Sequence, residues 1–195
     1  MTARRIVVLQ GHPDADEPHF CHALATAYVT AARAAGHEVR VIDIARLDFP
    51  LLRSKADWET QAVPSGLSAA NADITWSDHL VILFPLWLGT MPALVKGFLE
   101  QVLRISLTSA DGLAQKVMAK PLRGKSARVI VTMGMPALVF RWYFRSHGLK
   151  VLERNILAFV GVRPVRSSVI GMVEGSAKAR ERWLAKMADF GKAAL

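Results

Sequence analysis

Short apolar segments recur along the chain, each bounded by polar or turn-forming residues. Runs that are apolar throughout, such as Ile6–Leu9 and Leu80–Phe84, are typical of parallel strands covered on both faces. Five strands are predicted on this basis: Arg4–Gln10, Glu38–Asp43, Leu80–Phe84, Ala127–Met133 and Val165–Ile170.

Between these segments, apolar residues recur at helical spacing. Phe20, Leu24 and Tyr28 begin one such face, and Gly36 is a typical helix stop. Further helices are predicted at Leu67–Ser77, Pro92–Leu103, Ala137–Phe144, Val151–Val160 and Ser176–Leu195. Strands that alternate with helices predict a three-layer, doubly wound α/β sheet, since parallel neighbours need crossover connections. We expect the flavodoxin-like strand order 2-1-3-4-5 and a single domain over residues 1–195.

That order predicts a ligand crevice at the carboxyl ends of the first and third strands. Three loops would meet there: Gly11–His19, Pro85–Met91 and Thr132–Pro136. Trp87 offers a flat apolar face in the second loop, and the flanking N–H groups are donors for a planar heterocycle such as a flavin ring. Plain core packing is the alternative interpretation of Trp87.

The first loop leads into a helix, whose N-terminal N–H groups are suited to a phosphate. His12, His19 and His22 add donors, whereas the acidic triplet of Asp14, Asp16 and Glu17 opposes a phosphate unless its side chains point outward. The spacing of these histidines and aspartates matches no compact metal motif, so we expect no metal site.

Cys21 is the only cysteine, which rules out an internal disulfide. Its place on the first helical turn predicts a lowered thiol pKa. A small core-facing thiol is the favoured alternative, because no catalytic partner set is evident.

Positive charge is concentrated in the second half of the chain. The net charge is +9, with −3 over residues 1–103 and +12 over residues 104–195. No Lys/Arg run or nucleic-acid motif is present, so a basic face for an anionic dinucleotide, a quinone or a partner protein is favoured over nucleic acid. An ordinary solvated surface remains an alternative. Without an apolar stretch of roughly 20 residues or a signal peptide, we expect a cytoplasmic protein with no membrane insertion.

Several segments together resemble a known family. They are Ile6–Pro13, Phe84–Trp87, Met91–Gly97 and Val131–Gly134. These look like the NAD(P)H quinone dehydrogenases of flavodoxin-like fold, which include DT-diaphorase and the ancillary oxidoreductase of potassium-efflux systems. The resemblance covers residues 4–190, and its specific part is the Phe-Pro-Leu-Trp…Met-Pro-Ala-Leu-Val-Lys-Gly pattern.

The resemblance implies a flavin enzyme that takes hydride from NADPH or NADH and passes two electrons to a quinone in ping-pong fashion. It implies FMN or FAD; the short chain favours FMN, and the basic half favours NADPH. It also implies a homodimer whose subunits share the acceptor site. The residues that match the family's cofactor contacts are His12, His19, Phe20, Cys21, Pro85, Leu86, Trp87, Leu88, Thr132, Met133, Gly134 and Met135.

Tyr143 and His147 match the family's acceptor-binding Tyr and His. A helix face packed on a partner subunit is the alternative for Tyr143, and a helix C-terminal position is the alternative for His147. Two departures from the family pattern stand out. Pro18-His19 replaces the phosphate-loop Ser, and Met133-Gly134-Met135 replaces paired glycines, which would narrow the nicotinamide pocket.

Two other functions compete with a quinone reductase. One is a regulatory flavin- or nucleotide-binding module that docks on a transporter or another protein through the basic half and the connection Arg104–Ser126. The other is an electron carrier, which the basic composition disfavours.

Overall fold

A computed structural model of the protein describes residues 2–59, 62–105 and 120–195. Its centre is one sheet of five parallel strands in the order β2-β1-β3-β4-β5, as predicted. Long apolar runs form the three central strands because both faces of this sheet are covered. The strands are β1 (Arg5–Gln10), β2 (Glu38–Asp43), β3 (His79–Pro85), β4 (Ser126–Thr132) and β5 (Val165–Ile170).

Among the described residues, helices lie on both faces of the sheet, and five of them have bounds within a few residues of the predicted ones. They are α1 (Phe20–Ala34), α2 (Lys55–Glu59), α3 (Ser68–Trp76), α4 (Ala93–Ile105), α5 (Ala137–Trp142), α6 (His147–Lys150) and α7 (Ala177–Ala193). The short helices α2 and α6 were not predicted. Short 3-10 turns occupy Ile44–Arg46 and Ser65–Leu67.

The region after β4 differs most from the sequence prediction. The helix predicted over Ala137–Phe144 ends at Trp142, and a short break precedes α6. The residues that follow, Val151–Leu157, widen into a π-helical turn rather than a regular α-helix. Most of the connection predicted at Arg104–Ser126 lies outside the described residues.

Along each central strand, successive side chains point alternately into two hydrophobic cores, one on each face of the sheet. Val7, Leu9 and Ile82 pack with α3, α4 and α5, whereas Val8 and Leu83 pack with α1 and α7. These side chains are at most 1% exposed. Burial of each such side chain contributes roughly 1.5–3 kcal/mol relative to exposure. The sheet is therefore a rigid platform for its connecting loops.

The strand register brings the carboxyl ends of the central strands to one edge. Gln10 pairs with Leu83, and Thr132 pairs with both Pro85 and Ile170. The loops that leave β1, β3, β4 and β5 are consequently neighbours. Among the described residues, none of the helices combines the length and the apolar character that a bilayer-crossing helix needs.

Candidate functional site

The loop after β1 begins at a point of close backbone approach. The Gly11 N–H donates to the Leu83 carbonyl at 2.8 Å, and a Cβ on Gly11 would lie 2.8 Å from that oxygen and 2.8 Å from a Val95 methyl carbon. Only glycine therefore allows the chain to cross the end of β3 here. The crossing directs residues 12–19 over the carboxyl edge of the sheet.

Three imidazole rings cluster where this loop enters α1. His12 and His19 stack with ring centroids 3.7 Å apart, and His22 lies 5.3 Å from His12 and 5.7 Å from His19. The His19 N–H donates to His22 Nδ1 at 3.3 Å, which links the residue preceding α1 to its first turn. The rings thus surround a helix N-terminus, where unpaired N–H groups favour an anion.

Asp14 organises the loop from within. Its carboxylate pairs with His19 Nε2 at 2.8 Å and accepts the N–H groups of Asp16 and Glu17. The hydrogen bond from His19, followed by those two N–H groups, lowers the pKa of Asp14 to about 2. The sequence objection to a phosphate therefore weakens, because this carboxylate is already paired.

Burial lowers the pKa of two of the three histidines. For His12 desolvation is the largest cause, opposed by the Asp14 backbone and reinforced by the charges of His19 and His22. For His22 desolvation again comes first, followed by the charge of His19. Both rings are consequently neutral at pH 7 and would gain protons beside a bound anion.

Gln10 and Arg46 also belong to this loop, although sequence reasoning did not single them out. Buried Gln10 accepts the His12 N–H at 3.1 Å and the Cys21 thiol at 3.3 Å through Oε1. Arg46 donates to the Ala15 carbonyl at 2.7 Å and lies 3.2 Å from Asp43. The sequence did offer two signals for these residues. Gln10 is a polar residue at the end of an apolar strand, and Arg46 is a cation just past the end of β2.

The Cys21 thiol lies in the core and not at the loop surface. It is 2% exposed, and burial raises its pKa to about 12. The predicted lowering of this pKa is wrong, because desolvation of the thiolate outweighs the helix N-terminus. Phe20, beside it, is partly buried against the same core.

The loop after β3 is a tight turn that presents Trp87. Trp87 and Thr90 exchange backbone hydrogen bonds of 2.9 and 3.1 Å around Leu88 and Gly89, whose φ angles are 46° and 82°. The Leu86 N–H donates to the Thr132 carbonyl at 2.7 Å. Trp87 is 51% exposed, which excludes the core-packing interpretation.

These hydrogen bonds change which donors the loop offers. The sequence predicted free N–H groups beside Trp87, but those of Leu86, Trp87 and Thr90 are already used. Among the described residues, no backbone or side-chain acceptor pairs with the N–H groups of Leu88 and Gly89. Pro85, at the end of β3, has no N–H to donate.

The loop after β4 has a buried base and an exposed glycine. Thr132 is 5% and Met133 4% exposed, and the Met133 N–H donates to Ile170 at 2.9 Å. Gly134 is exposed, and a Cβ added to it would meet no atom within 4 Å. Met135 is half-buried and accepts the Met172 N–H at 3.2 Å. Only Met135 is therefore positioned to narrow a pocket here, since Met133 fills the core.

Of the predicted acceptor residues, His147 lies next to Gly148, which packs on the Trp87 loop. Gly148 approaches the backbone of Gly89 so closely that a Cβ would overlap the Gly89 carbonyl oxygen. His147 begins α6, so its interpretation as a helix C-terminal residue is wrong. Tyr143 is 78% exposed, with its ring 5.0 Å from that of Phe144.

The geometry of the histidine cluster does not suit a metal. In the described ranges, no group of three or more His, Cys, Asp or Glu side chains converges as metal ligands do. The rings of His12 and His19 stack face to face, whereas metal ligands direct their nitrogen atoms towards a shared point.

A family model described as flavodoxin-like fold matches residues 4–192. The chain belongs to the flavodoxin-like fold family. This assignment agrees with the parallel sheet, its strand order and the three loops that meet at its carboxyl edge.

Comparison with individual proteins adds a curated relative and two solved structures. The ribosyldihydronicotinamide dehydrogenase-like protein traD of Penicillium crustosum is 26% identical over 156 residues, which cover 67% of this chain and 57% of that protein. The chain thus spans just over half the length of this curated relative.

Both solved structures share the fold at low identity. The NAD(P)H:quinone oxidoreductase of Methanothermobacter marburgensis matches with a TM-score of 0.79 and 19% identity, over 100% of both chains. An FMN-dependent NADH-azoreductase of Bacillus anthracis, solved in complex with FMN, matches with a TM-score of 0.72 and 13% identity, over 98% of this chain and 99% of that one.

Proposed function

We propose that the protein is a flavin-dependent NAD(P)H:acceptor oxidoreductase that holds FMN and reduces a quinone by two electrons in a ping-pong cycle. The observation that carries this proposal is the meeting of three loops at one edge of the sheet. One loop is rich in donors for a phosphate, one presents a half-exposed indole, and one contains an exposed glycine. We assign the function to one cytoplasmic domain over residues 1–195.

The first loop has the donor chemistry that a flavin phosphate needs. His12, His19, His22 and Arg46 surround the start of α1, where Asp14 is paired with His19 and Asp43 with Arg46. The Gln10 Nε2 atom is buried without a hydrogen-bond partner among the described residues. A bound polar group or a water would satisfy this donor. Phe20 and Cys21 contribute backbone N–H groups from the first helical turn.

The second and third loops suit the flavin ring. Trp87 presents an apolar face, and Leu88 and Gly89 keep unpaired N–H groups at the tip of the turn. Across the edge, Gly134 is exposed, and its N–H has no partner among the described residues. Donors placed around a heterocycle orient it and stabilise negative charge on it. Pro85, Leu86, Met133 and Met135 hold these loops in shape.

Bound flavin would supply the redox chemistry, taking hydride from NAD(P)H and returning two electrons to the acceptor. The chain's own residues would bind and orient the flavin and the two substrates, and they would exclude water from the site. We assign to Tyr143 and His147 the roles of holding the acceptor and delivering a proton to its oxygen; His147 precedes Gly148, which packs on the Trp87 loop. The relatives support this choice of chemistry, since two carry quinone-oxidoreductase or dehydrogenase names and one binds FMN.

A homodimer is part of the proposal. A groove between α2, α4 and the π-helical turn is lined by Trp58, Leu99 and Phe159 together with the paired charges of Lys96 and Glu100. Apolar side chains beside charges of both signs suit a surface that pairs with its own copy across a twofold axis. Light scattering after gel filtration measures the mass directly, and a monomer would overturn this element.

A regulatory flavin- or nucleotide-binding module is the second candidate. The observation that favours it is the strongly basic second half of the chain, which would contact an acidic partner. Such a module would bind FMN and show no turnover with NADPH and a quinone.

The visible absorption spectrum tests the proposal. Protein mixed with FMN and freed of excess ligand should retain flavin bands, and NADPH added without oxygen should bleach them. Retained bands that NADPH leaves unchanged would favour the regulatory module. Loss of all flavin during the removal step would contradict the oxidoreductase and leave a nucleotide-binding regulatory module as the better interpretation.

A further inference from the structure

Polar side chains from four strands meet at the amino edge of the sheet, opposite the three loops of the candidate site. The face that α1 and α7 cover includes Ile6, Val81, Ile130 and Ile170. Because alternate residues of a strand share a face, counting back in steps of two identifies the residues that begin this face. They are Arg4, His79, Ser126, Arg128, Arg166 and Ser168.

A pocket of about 280 Å³ opens at this edge. Its polar lining comes from Arg4, His79, Ser126, Arg163 and Arg166. The carboxylate of Asp78, which precedes His79, is already paired with Arg5 at 2.7 Å. Within the described ranges, no carboxylate forms an ion pair with Arg4, Arg163 or Arg166. The described residues therefore leave the positive charge of this pocket unbalanced.

Arg128 adds a buried cation next to the pocket. It lies opposite Arg166 in the register of β4 and β5 and is 5% exposed. Its guanidinium donates to Ser168 Oγ at 3.1 Å and lies 3.6 Å from the centre of the Phe190 ring. Neither contact supplies a negative charge, and a buried cation is costly without a paired anion. An anion held at this edge would therefore stabilise Arg128.

A chain of hydrogen bonds ends on the ring of His79, which is 3% exposed. Arg4 Nη2 donates to Ser126 Oγ at 3.0 Å, and Ser126 Oγ lies 2.8 Å from His79 Nδ1. Because Ser126 accepts from Arg4, its own proton is available to Nδ1, which favours the tautomer with the N–H at Nε2. The Leu195 backbone lies near this ring, yet Nε2 has no hydrogen-bond partner in the part of the chain that the structure describes. His79 thus brings an unused donor to the wall of the pocket.

Unpartnered polar atoms are concentrated in this region. Among the described residues, four buried side-chain nitrogen or oxygen atoms have no hydrogen-bond partner, and three of them are Tyr28 Oη, His79 Nε2 and Arg128 Nε. Burial lowers the pKa of His79 to about 3, followed by the charges of Arg4, Arg128 and Arg166. Burial raises the pKa of Tyr28, and the charges of Arg128 and Arg4 oppose that rise. Folded proteins satisfy nearly all such atoms, so their concentration beside unbalanced cations points to a bound anion.

We propose that this pocket binds a phosphate group, either as the free ion or as part of a small phosphate monoester. The guanidinium groups of Arg4, Arg163 and Arg166 suit phosphate oxygens, because each presents several N–H donors in a fixed plane. A pocket needs only about 10–15 Å³ to hold one water molecule. The observed volume of about 280 Å³ therefore accommodates a phosphate together with a small organic group.

The pocket is separate from the proposed flavin site. Six residues of a strand span roughly 20 Å, and the loops that carry the three histidines and Trp87 leave the opposite ends of β1 and β3. The groove proposed for the dimer lies along α4, on the other face of the sheet. Phosphate binding at the amino edge is consequently measurable without flavin.

Isothermal titration calorimetry of the full chain tests the proposal. Inorganic phosphate and glycerol 3-phosphate are titrated separately at constant ionic strength, with sodium chloride as the balancing salt. The chain should bind at least one of them, and the tighter ligand identifies the source of the phosphate group. Arg166→Gln should weaken this binding by about tenfold or more, the value of one hydrogen bond to a charged group.

Two control variants locate the binding. Arg182→Gln removes an exposed charge from α7 outside the pocket, and Arg46→Gln removes the cation of the proposed flavin-phosphate loop. Both should bind phosphate like the unmodified chain. Equal loss in Arg166→Gln and Arg182→Gln would overturn the proposal, since only net charge would matter. Loss in Arg46→Gln with full binding in Arg166→Gln would assign the phosphate to the loop after β1, and no binding of either ligand to the unmodified chain would also refute the site.

Thermal unfolding gives a second readout. Phosphate at about ten times its dissociation constant should raise the Tm of the unmodified chain by about 3–6 °C over sodium chloride of equal ionic strength. In buffer without phosphate, R166E should have a higher Tm than R166Q, because a carboxylate at this position would balance the charges of Arg4 and Arg128. An equal or lower Tm for R166E would contradict the unbalanced positive charge on which the site depends.

Discussion

The rings of His12 and His19 stack at 3.7 Å, directly before the first turn of α1. His19 is held by Asp14, and His12 is anchored by Gln10 and by the Asp14 backbone. Imidazoles in contact disfavour one another's protonation, and a bound anion reverses that preference. The phosphate loop is therefore expected to take up protons when it binds its ligand.

FMN affinity should consequently rise as the pH falls. The pKa values of His12 and His22 are lowered in the free protein, so protonation on binding strengthens affinity by up to about tenfold per pH unit for each proton. Fluorescence titration from about pH 8 to 6.5 keeps the phosphate mostly dianionic. Riboflavin, without a phosphate, should bind independently of pH. The same pH dependence for both ligands would contradict this linkage.

Trp87→Ala should weaken FMN binding by about tenfold, the value of one aromatic stacking contact. The indole is half-exposed on the turn between β3 and α4, so its removal leaves no cavity in the core. Trp58→Ala, at a 37% exposed position in α2, is the matched control and should retain affinity. Unchanged affinity in Trp87→Ala would place the flavin ring elsewhere.

Gly148→Ala should destabilise the protein by about 1–3 kcal/mol, since a methyl group there overlaps the Gly89 backbone. Denaturant unfolding gives the free energy. Gly134→Ala is the control, because its side-chain position is open and its stability should stay within about 0.5 kcal/mol. Equal stability of the two variants would disprove the contact between α6 and the Trp87 loop.

His79 should make the fold acid-sensitive. Burial, then the charges of Arg4, Arg128 and Arg166, lower its pKa from 6.5 to about 3. The unfolded chain therefore binds a proton that the folded chain does not, and stability decreases as the pH falls below 6.5. The loss approaches about 1.4 kcal/mol per pH unit down to about pH 3. His79→Gln, which preserves a hydrogen bond for Ser126, should flatten this dependence; an unchanged slope would exclude His79 as its cause.

Tyr143→Phe combined with His147→Ala should lower kcat/KM for a quinone by roughly 10²-fold, the usual contribution of one positioned proton donor. Reduction by NADPH should stay within twofold, because that half-reaction needs no proton from either side chain. Stopped-flow absorbance separates the two steps. If the rates of both half-reactions fell together, the fold would be disturbed. If neither rate fell, Tyr143 and His147 would not belong to the acceptor site.

The sheet was predictable because each central strand is an unbroken apolar run between turn residues, as in Leu80–Phe84. The helices α1, α3 and α4 followed from apolar residues at helical spacing, and their alternation with strands predicted a doubly wound sheet. The break after Trp142 was not predictable, since the apolar pattern continues through Phe144 while the chain turns at Arg145 and Ser146, both at positive φ. Tertiary packing of Gly148 on the Trp87 loop decides that turn.

The site was predictable only in outline. Its loops follow from the ends of the strands. The pairing of Asp14 with His19 and the hydrogen bond from Arg46 to the Ala15 carbonyl are contacts that the hydrophobic pattern does not encode. Cys21 shows both outcomes. Its place on the first helical turn predicted a lowered thiol pKa, which is wrong, whereas the favoured interpretation as a core-facing thiol agrees with its burial.

The most direct test of the proposed function follows the two half-reactions separately by stopped-flow absorbance. Protein loaded with FMN is mixed with NADPH without oxygen, and the reduced protein, freed of nucleotide, is then mixed with a quinone. The account predicts full bleaching by one equivalent of NADPH, followed by full recovery with one equivalent of quinone. Bleaching that occurs only when NADPH and quinone are present together would contradict a ping-pong enzyme, and no bleaching at all would contradict a reductase.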